Sequence, residues 1–468
     1  MSDDLALMSA VEMLRGFADG RLSPVEVTQA ALKQVKTHDG TLNAFVLLDE
    51  EAAVEAARQS EARWQHKAPL GRLDGVPTTI KDIVLTKGWP TLRGSAAVDP
   101  AGPWREDAPA TARLREHGAV LLGKTTTPEF GWKGVTDSPV SGITRNPWDP
   151  SMTPGGSSGG AAAAAAAGMG ALHVGTDGGG SIRIPCGFTG IPGIKATFGR
   201  VPAWPLSPFG TVSHVGPMAR TVADCALMLT VMAEPDARDP YALPYAGEDY
   251  TDGLDNGVQG LKLAYFPSLG GYPVDPEVAR LVDAAARSFE DLGALVEQPE
   301  LQLPDLVEVF KVMWCGGAAN LLRKLTPDQE GRVEPGLREI AQAGAAYSLY
   351  DYLDALAARE ALTSTLALLQ RQFDLLLLPS LPITAFEAGR EVPEGAGQAR
   401  WWEWTPFTWP FNLTGQPAAS VPCGLAGNGL PVGLQLVGRR YDDALVLRAA
   451  QAFEARFPPK FPRLAGAP

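Results

Sequence analysis

Residues 153–168, TPGGSSGGAAAAAAAG, followed closely by residues 175–185, GTDGGGSIRIP, decide how this chain is read. The first stretch holds Gly-x-Ser-x-Gly in two frames, centred on Ser157 and on Ser158. That pattern commonly marks a serine nucleophile on a sharp strand-to-helix turn. The seven alanines that follow must be buried if folded, and their small side chains let a helix pack closely. Ser157 would then stand at a helix start, where the dipole favours a partly anionic hydroxyl. The second stretch places Gly178, Gly179 and Gly180 directly before Ser181. Successive backbone N–H groups without side chains form an anion-binding nest. An oxyanion hole needs that geometry, with donors where negative charge develops.

A serine nucleophile also needs a base. The histidines are His38, His66, His117, His173 and His214. None follows His214, so the Ser…Asp…His order of an α/β-hydrolase is disfavoured. No serine has a lysine three positions later, which removes the penicillin-binding type. GGSSGG continues into alanine rather than Lys-Ser/Thr, so it is not a phosphate loop. No Gly-x-Gly-x-x-Gly opens a helix in a dinucleotide-binding unit. A lysine remains, because burial lowers an amine's pKa toward neutrality. The residues alone leave Lys81, Lys124, Lys133 and Lys195 open.

Outward from this centre the pattern alternates between helix and strand. Residues 1–66 read as N-terminal helices around one short strand, with Ser23 as an N-cap and Pro24 at the first helical position. LDGVPTTIKDIVLTKG, residues 73–88, reads as a strand pair around Lys81. DAPATARLREHGAVLLGK, residues 107–124, reads as a helix stopped at Gly118 and then a buried strand. Residues 275–375 are mostly helical, FDLLLLPSLPI is a buried strand, and PAASVPCGLAGNGLPVGLQLVG reads as two strands around GNG. The expectation is an α/β fold with a mixed, mostly parallel central sheet covered by helices on both faces.

Composition narrows the partners. With 53 acidic and 40 basic residues, a net charge of −13 argues against nucleic acid and anionic membrane surfaces. No apolar window is long enough to span a membrane, and the acidic start lacks the features of a signal peptide. Cys186, Cys225, Cys315 and Cys423 are scattered and read as reduced thiols of a cytoplasmic protein. No His/Cys pair has metal-ligand spacing, so neither metal nor organic cofactor is expected.

The glycine-serine blocks, with LDGVPTTIKD, GAVLLGKTTTPEFGW, TRNPWDP, VGPMARTVAD, FTWPFNLTGQPAASVPCG and GLPVGLQLVG, resemble the amidase signature family. The resemblance is dense over residues 70–235 and runs in outline through the last 60 or so. It implies one domain over residues 1–468, with a catalytic core at 70–235, a variable helical region at 275–375 expected to act as a lid, and the rest of the core at 376–468. It also implies a Ser–cis-Ser–Lys triad. Ser181 maps to the nucleophile, Ser157 to the middle serine behind a cis peptide bond, and Lys81 to the base. Gly178, Gly179, Gly180 and Ser181 map to the oxyanion hole, and Gly131 to the residue facing the middle serine, with Trp132 beside it lining the acyl site. Asp177 and Arg183 read as an ion pair supporting the loop, and Ser158 as a loop hydrogen-bonding residue.

The activity implied is C–N hydrolysis of linear amides carrying hydrophobic or aryl groups, or of carbamates or esters by the same chemistry. The alternative, with partner chains, is the glutaminase component of a tRNA-dependent amidotransferase. A catalytically silent scaffold is disfavoured by the intact serines and lysine. RWWEWTPFTWPF, residues 400–411, holds four of the eleven tryptophans. Trp401, Trp402, Trp404 and Trp409 are candidates for a hydrophobic acceptor site. A monomer or homodimer acting on a small molecule completes the expectation.

Overall fold

The computed structural model describes residues 2–464 except 302, 304 and 305. Met1 and residues 465–468, which the expected boundaries include, lie outside the described residues, as do those three positions of the helical region. In chain order the strands are β1 (Phe45–Leu48), β2 (Pro77–Lys81), β3 (Val120–Thr125), β4 (Asp137–Ser138), β5 (Gly142–Ile143), β6 (Leu172–Asp177), β7 (Gly193–Lys195), β8 (His214–Ala219), β9 (Lys262–Tyr265), β10 (Leu295–Glu297), β11 (Leu375–Pro379), β12 (Ala418–Leu425) and β13 (Pro431–Gly438). β4 and β5 pair with each other alone; the others form one sheet in the order β1-β3-β2-β6-β8-β7-β12-β13-β11-β9-β10.

The sheet is mixed. Pairing is parallel on one flank, β3-β2-β6, and on the other, β11-β9-β10. It is antiparallel through the middle and at β1. Two of these antiparallel pairs are sequential neighbours, β7 with β8 and β12 with β13 around GNG, and they need no helical crossover. Strands β2, β3, β11 and β13 are buried along their whole length, the mark of a sheet covered on both faces.

The N-terminal helices are Ser2–Leu7, Ala10–Ala18, Pro24–Leu42 and Glu50–Gln65. Ser23 caps the third reciprocally with Glu26, and Pro24 opens it. The alanine run forms the helix Gly159–Ala166, every residue of it buried, against β2, β3, β6 and β8. A Cβ on Gly160 would collide with Thr126 Oγ1, so glycine followed by alanine lets this helix lie on the sheet. The strand pair expected around Lys81 is corrected to one strand. The chain leaves the sheet at Lys81, whose carbonyl accepts from the amides of Ile83 (2.8 Å) and Val84 (3.0 Å).

Candidate active site

Lys81 is the last residue of β2, and Thr176 and Asp177 end the adjacent parallel strand β6. Carboxyl ends of parallel strands are where α/β sheets present ligand sites. The SSGG turn approaches from above, just before the alanine helix. The Gly156–Ser157 peptide is cis. Thr136 secures the turn, its hydroxyl donating to the Gly155 carbonyl (2.8 Å) and accepting from the Gly159 amide (3.1 Å).

Lys81 is fully buried, and its Nζ lies 2.7 Å from Ser157 Oγ, 2.9 Å from Ser158 Oγ and 2.8 Å from Thr176 Oγ1. Burial pushes its pKa well below the ordinary lysine value, with the Asp177 charge opposing. A neutral amine has two N–H donors and one lone pair, which matches three oxygen neighbours. The Ser158 hydroxyl donates to the Thr176 carbonyl (3.1 Å) and accepts from the Thr176 amide (3.2 Å). Its proton is thus committed elsewhere. Among the described residues Ser157 Oγ has no hydrogen-bond partner besides Lys81 Nζ.

The other candidate lysines have no serine of these loops among their hydrogen-bond partners. Lys124 donates to the Val84 carbonyl (2.7 Å) and Thr91 (2.8 Å), and burial lowers its pKa to about 8. Lys133 pairs with Asp137 (2.8 Å) and Glu334 (3.2 Å). Lys195 donates to the Gln416 carbonyl and lies 3.4 Å from His214 Nε2. The His214 Nδ1 faces the Val212 carbonyl at 2.9 Å, so no serine is served by that ring.

Asp177 and Arg183 form a fully buried ion pair, Nη2–Oδ1 2.9 Å and Nε–Oδ2 3.0 Å. Burial pushes the Asp177 carboxyl up, but the Arg183 guanidinium, Lys195 and Asn412 outweigh it and hold it well below the usual range. The carboxylate also accepts from the amides of Gly180 (2.7 Å) and Ile182 (3.2 Å). The expected oxyanion set is corrected on this point, because the Gly180 amide is turned back into its own loop. Among the described residues the amides of Gly178, Gly179 and Ser181 have no such partner. The glycines are also needed for space. A Cβ on Gly178 would meet Trp314 at 2.9 Å, and one on Gly179 would meet Trp401 at 2.7 Å. The two serine loops touch through the Ser158 amide, which donates to the Ser181 carbonyl at 3.2 Å.

Ser157, Ser181, Thr176, Gly178 and Gly131 share one cavity of about 410 Å³. A Cβ on Gly131 would lie 3.2 Å from Ser157 Oγ. The cavity's aromatic walls are Phe130, Phe198, Trp204, Phe209, Tyr241 and Trp314. Trp132, Trp401, Trp402, Trp404 and Trp409 are not among its lining residues, and the tryptophan-walled site is corrected accordingly. They are packed inside: Trp401 edge-on to Phe310 and Trp314, Trp404 stacked on Phe188, and Trp409 donating to the Trp402 carbonyl. Trp132 donates to Glu334, and its carbonyl accepts from Trp314 Nε1. The RWWEW segment therefore forms the layer behind the glycine loop. Sequence reading also missed Thr176, which only the β2–β6 register brings to Lys81, and Asn412 and Gln435, which complete the shell of Arg183.

Fold, site and similarity together define an amide-hydrolysing enzyme, and the family model described as Amidase matches residues 26–447. The chain belongs to the amidase signature family. It is 38% identical to an acylamidase of Rhodococcus erythropolis, over 97% of this chain and 96% of that one. It is 37% identical to the A-type component of the glutamyl-tRNA(Gln) amidotransferase of Myxococcus xanthus, over 96% of each. It superposes on the crystal structure of a bacterial aryl acylamidase with a TM-score of 0.90, at 32% identity and 96% coverage of each chain. No helix among the described residues is long and apolar enough to cross a membrane, and no group of His, Cys, Asp and Glu there could hold a metal ion.

Proposed function

We propose that this amidase cleaves the C–N bond of hydrophobic or aryl amides through an acyl-enzyme on Ser181. Ser157 relays protons, and neutral Lys81 is the base. The observation that carries the reading is the buried Lys81 amine, 2.7 Å from the one neighbouring serine whose proton is uncommitted. As Ser181 Oγ attacks the carbonyl carbon, its proton passes to Ser157, and the Ser157 proton passes to Lys81. The amides of Gly178, Gly179 and Ser181 receive the oxyanion. Collapse breaks the C–N bond, and the proton held on Lys81 returns through Ser157 to the leaving amine. Water then attacks the ester by the same relay and frees Ser181.

The aromatic walls suit an aryl or alkyl group, and similarity to acylamidases points the same way. Carbamates and esters differ only in what leaves. Trp314 and Leu321 on the helix Val307–Leu322 reach the cavity wall, which supports reading residues 275–375 as a lid. One sheet takes strands from residues 45 to 438, which supports a single domain. Four free cysteines fit a cytoplasmic setting.

The glutaminase reading has one observation in its favour, the similarity to amidotransferase components. Release of 4-nitroaniline from acyl anilides, with ammonia release from glutamine measured beside it, separates the two. Turnover of anilides that disappears in Ser181→Ala, with an acyl adduct on Ser181 by intact mass, is the expected result. Turnover of glutamine alone would transfer the assignment to the glutaminase branch.

A further inference from the structure

The cavity wall around Ile83, Val84, Leu85 and Pro109 is apolar, yet Arg93 is among the residues that line it. Arg93 is half-buried, and among the described residues its side chain has neither a hydrogen-bond nor an ion-pair partner. The nearby Asp82 attracts it without pairing. The Asp82 carboxylate accepts from the amides of Leu92 (3.2 Å) and Gly94 (3.3 Å) and lies 3.7 Å from the Lys124 ammonium. Those amides flank Arg93 and fix its turn. The Arg93 carbonyl is held as well, accepting from the Phe130 amide at 2.7 Å. Arg93 itself sits at φ 57°, a left-handed conformation that a long side chain rarely adopts. The backbone is thus clamped on both sides of a residue whose guanidinium makes no direct ion pair.

The other charged groups on the cavity are Asp239 and Lys324. Asp239 is satisfied, its two oxygens accepting from the amides of Ala203 and Tyr241 at 2.8 Å each. Lys324 is exposed to solvent. Arg93 is therefore the cavity's one half-buried cation whose side chain makes no direct ion pair among the described residues. A planar guanidinium with parallel N–H donors is the side chain best matched to a carboxylate.

We infer that Arg93 anchors an anionic group of the substrate, so that the amides taken by this enzyme carry a carboxylate beside an apolar body. This rests on the hydrolytic reading of the Ser181 cavity and narrows its substrate class. Arg93, Phe130 and Gly131 form one continuous wall that ends against Ser157. The carboxylate would dock on that wall while the scissile carbonyl lies over Ser181.

Binding and turnover test this separately. In the Ser181→Ala variant, calorimetric titration compares 4-phenylbutyrate with its methyl ester. The carboxylate is expected to bind about tenfold or more tightly, as a charge-assisted pair would give. Arg93→Gln in the same background is expected to remove that preference, and Arg93→Lys, which keeps the charge, to retain part of it. In the catalytically intact protein, glutaryl-4-nitroanilide should exceed its methyl ester in kcat/KM through KM, with the ratio collapsing in Arg93→Gln. Equal affinity, no binding of either probe, or a preference that survives Arg93→Gln overturns the inference. A carboxylate preference in binding, with no nitroaniline released from any anilide, would keep Arg93 as an anion anchor and overturn the hydrolytic reading instead.

Discussion

Arg183 uses all of its N–H groups, and Asp177 takes two of them. The guanidinium meets Asp177 at 2.9 and 3.0 Å, Asn412 at 2.6 Å, Gln435 at 2.7 Å and the Thr408 carbonyl at 2.8 Å. Neither side chain of the pair is exposed. The partners come from the end of β6, from β13 and from the segment at 408–412, so one cation ties two distant stretches to the loop carrying Ser181. Removing one member of a buried pair leaves an uncompensated charge, which costs about 3–5 kcal/mol. Asp177→Asn is therefore expected to lower unfolding stability by about that much in urea titrations. A loss under about 1 kcal/mol would show that the loop is held by something else.

A neutral Lys81 fixes the sign of the pH dependence. Burial lowers its pKa, so the amine gains a proton, and loses its lone pair, as pH falls through that value. kcat/KM for a neutral anilide should rise with pH and then level, with the acid limb dropping about tenfold per unit. A profile flat from about pH 5 to 9 would count against Lys81 as base. Stability carries the same signature. The native chain releases the Lys81 proton at a lower pH than the unfolded chain does, so between those two pKa values this group makes stability increase with pH. Lys81→Met should flatten that slope in denaturation measured at about pH 6 and 9.

Much of this site is local in sequence, which is why it was legible. Glycines that free backbone amides and alanines that let a helix lie on a sheet are short-range signals. They single out Ser157 and Ser181, the family resemblance adds Lys81, and the structure brings all three to one cavity wall or just behind it. Burial direction was not legible. RWWEW is rich in indole, but aromatic content does not say which face a side chain takes, and β11–β13 and the helix Val307–Leu322 draw these rings inward. The reversed Gly180 amide, Thr176 beside Lys81 and the Asn412–Gln435 shell depend on pairings across the whole chain. Arg93 stood in TLRGS without a pattern to mark it, since an unpaired charge is visible only once its surroundings are known.

Ser157 and Ser158 separate by proton count, although both lie within 3 Å of Lys81. Ser157→Ala removes the relay, and losing one member of such a chain typically costs ~10³-fold or more in kcat. Ser158→Ala removes one acceptor from the lysine and two bonds to Thr176, an effect of about tenfold. Single-turnover acylation with an anilide in each variant checks this. Equal losses would mean that the two hydroxyls share the relay.

Trp314 and Trp404 should behave oppositely although both are buried. Trp314 stacks on Phe209 with ring centroids 3.9 Å apart, and the pair forms part of the cavity wall. Trp404 stacks on Phe188 and meets Phe386 edge-on, away from the cavity. Truncating a core tryptophan removes its apolar burial and leaves a hole, at about 3–5 kcal/mol. Trp404→Ala should therefore lower unfolding stability by that amount, with KM for aryl anilides moving by less than about twofold. Trp314→Ala should also destabilise, but it enlarges the space beside Ser181 and removes an aromatic face. KM for aryl anilides is then expected to rise several-fold more than KM for short aliphatic amides. If Trp404→Ala shifted KM as strongly as Trp314→Ala, the tryptophans behind the glycine loop would be setting substrate fit through the loop rather than through the wall.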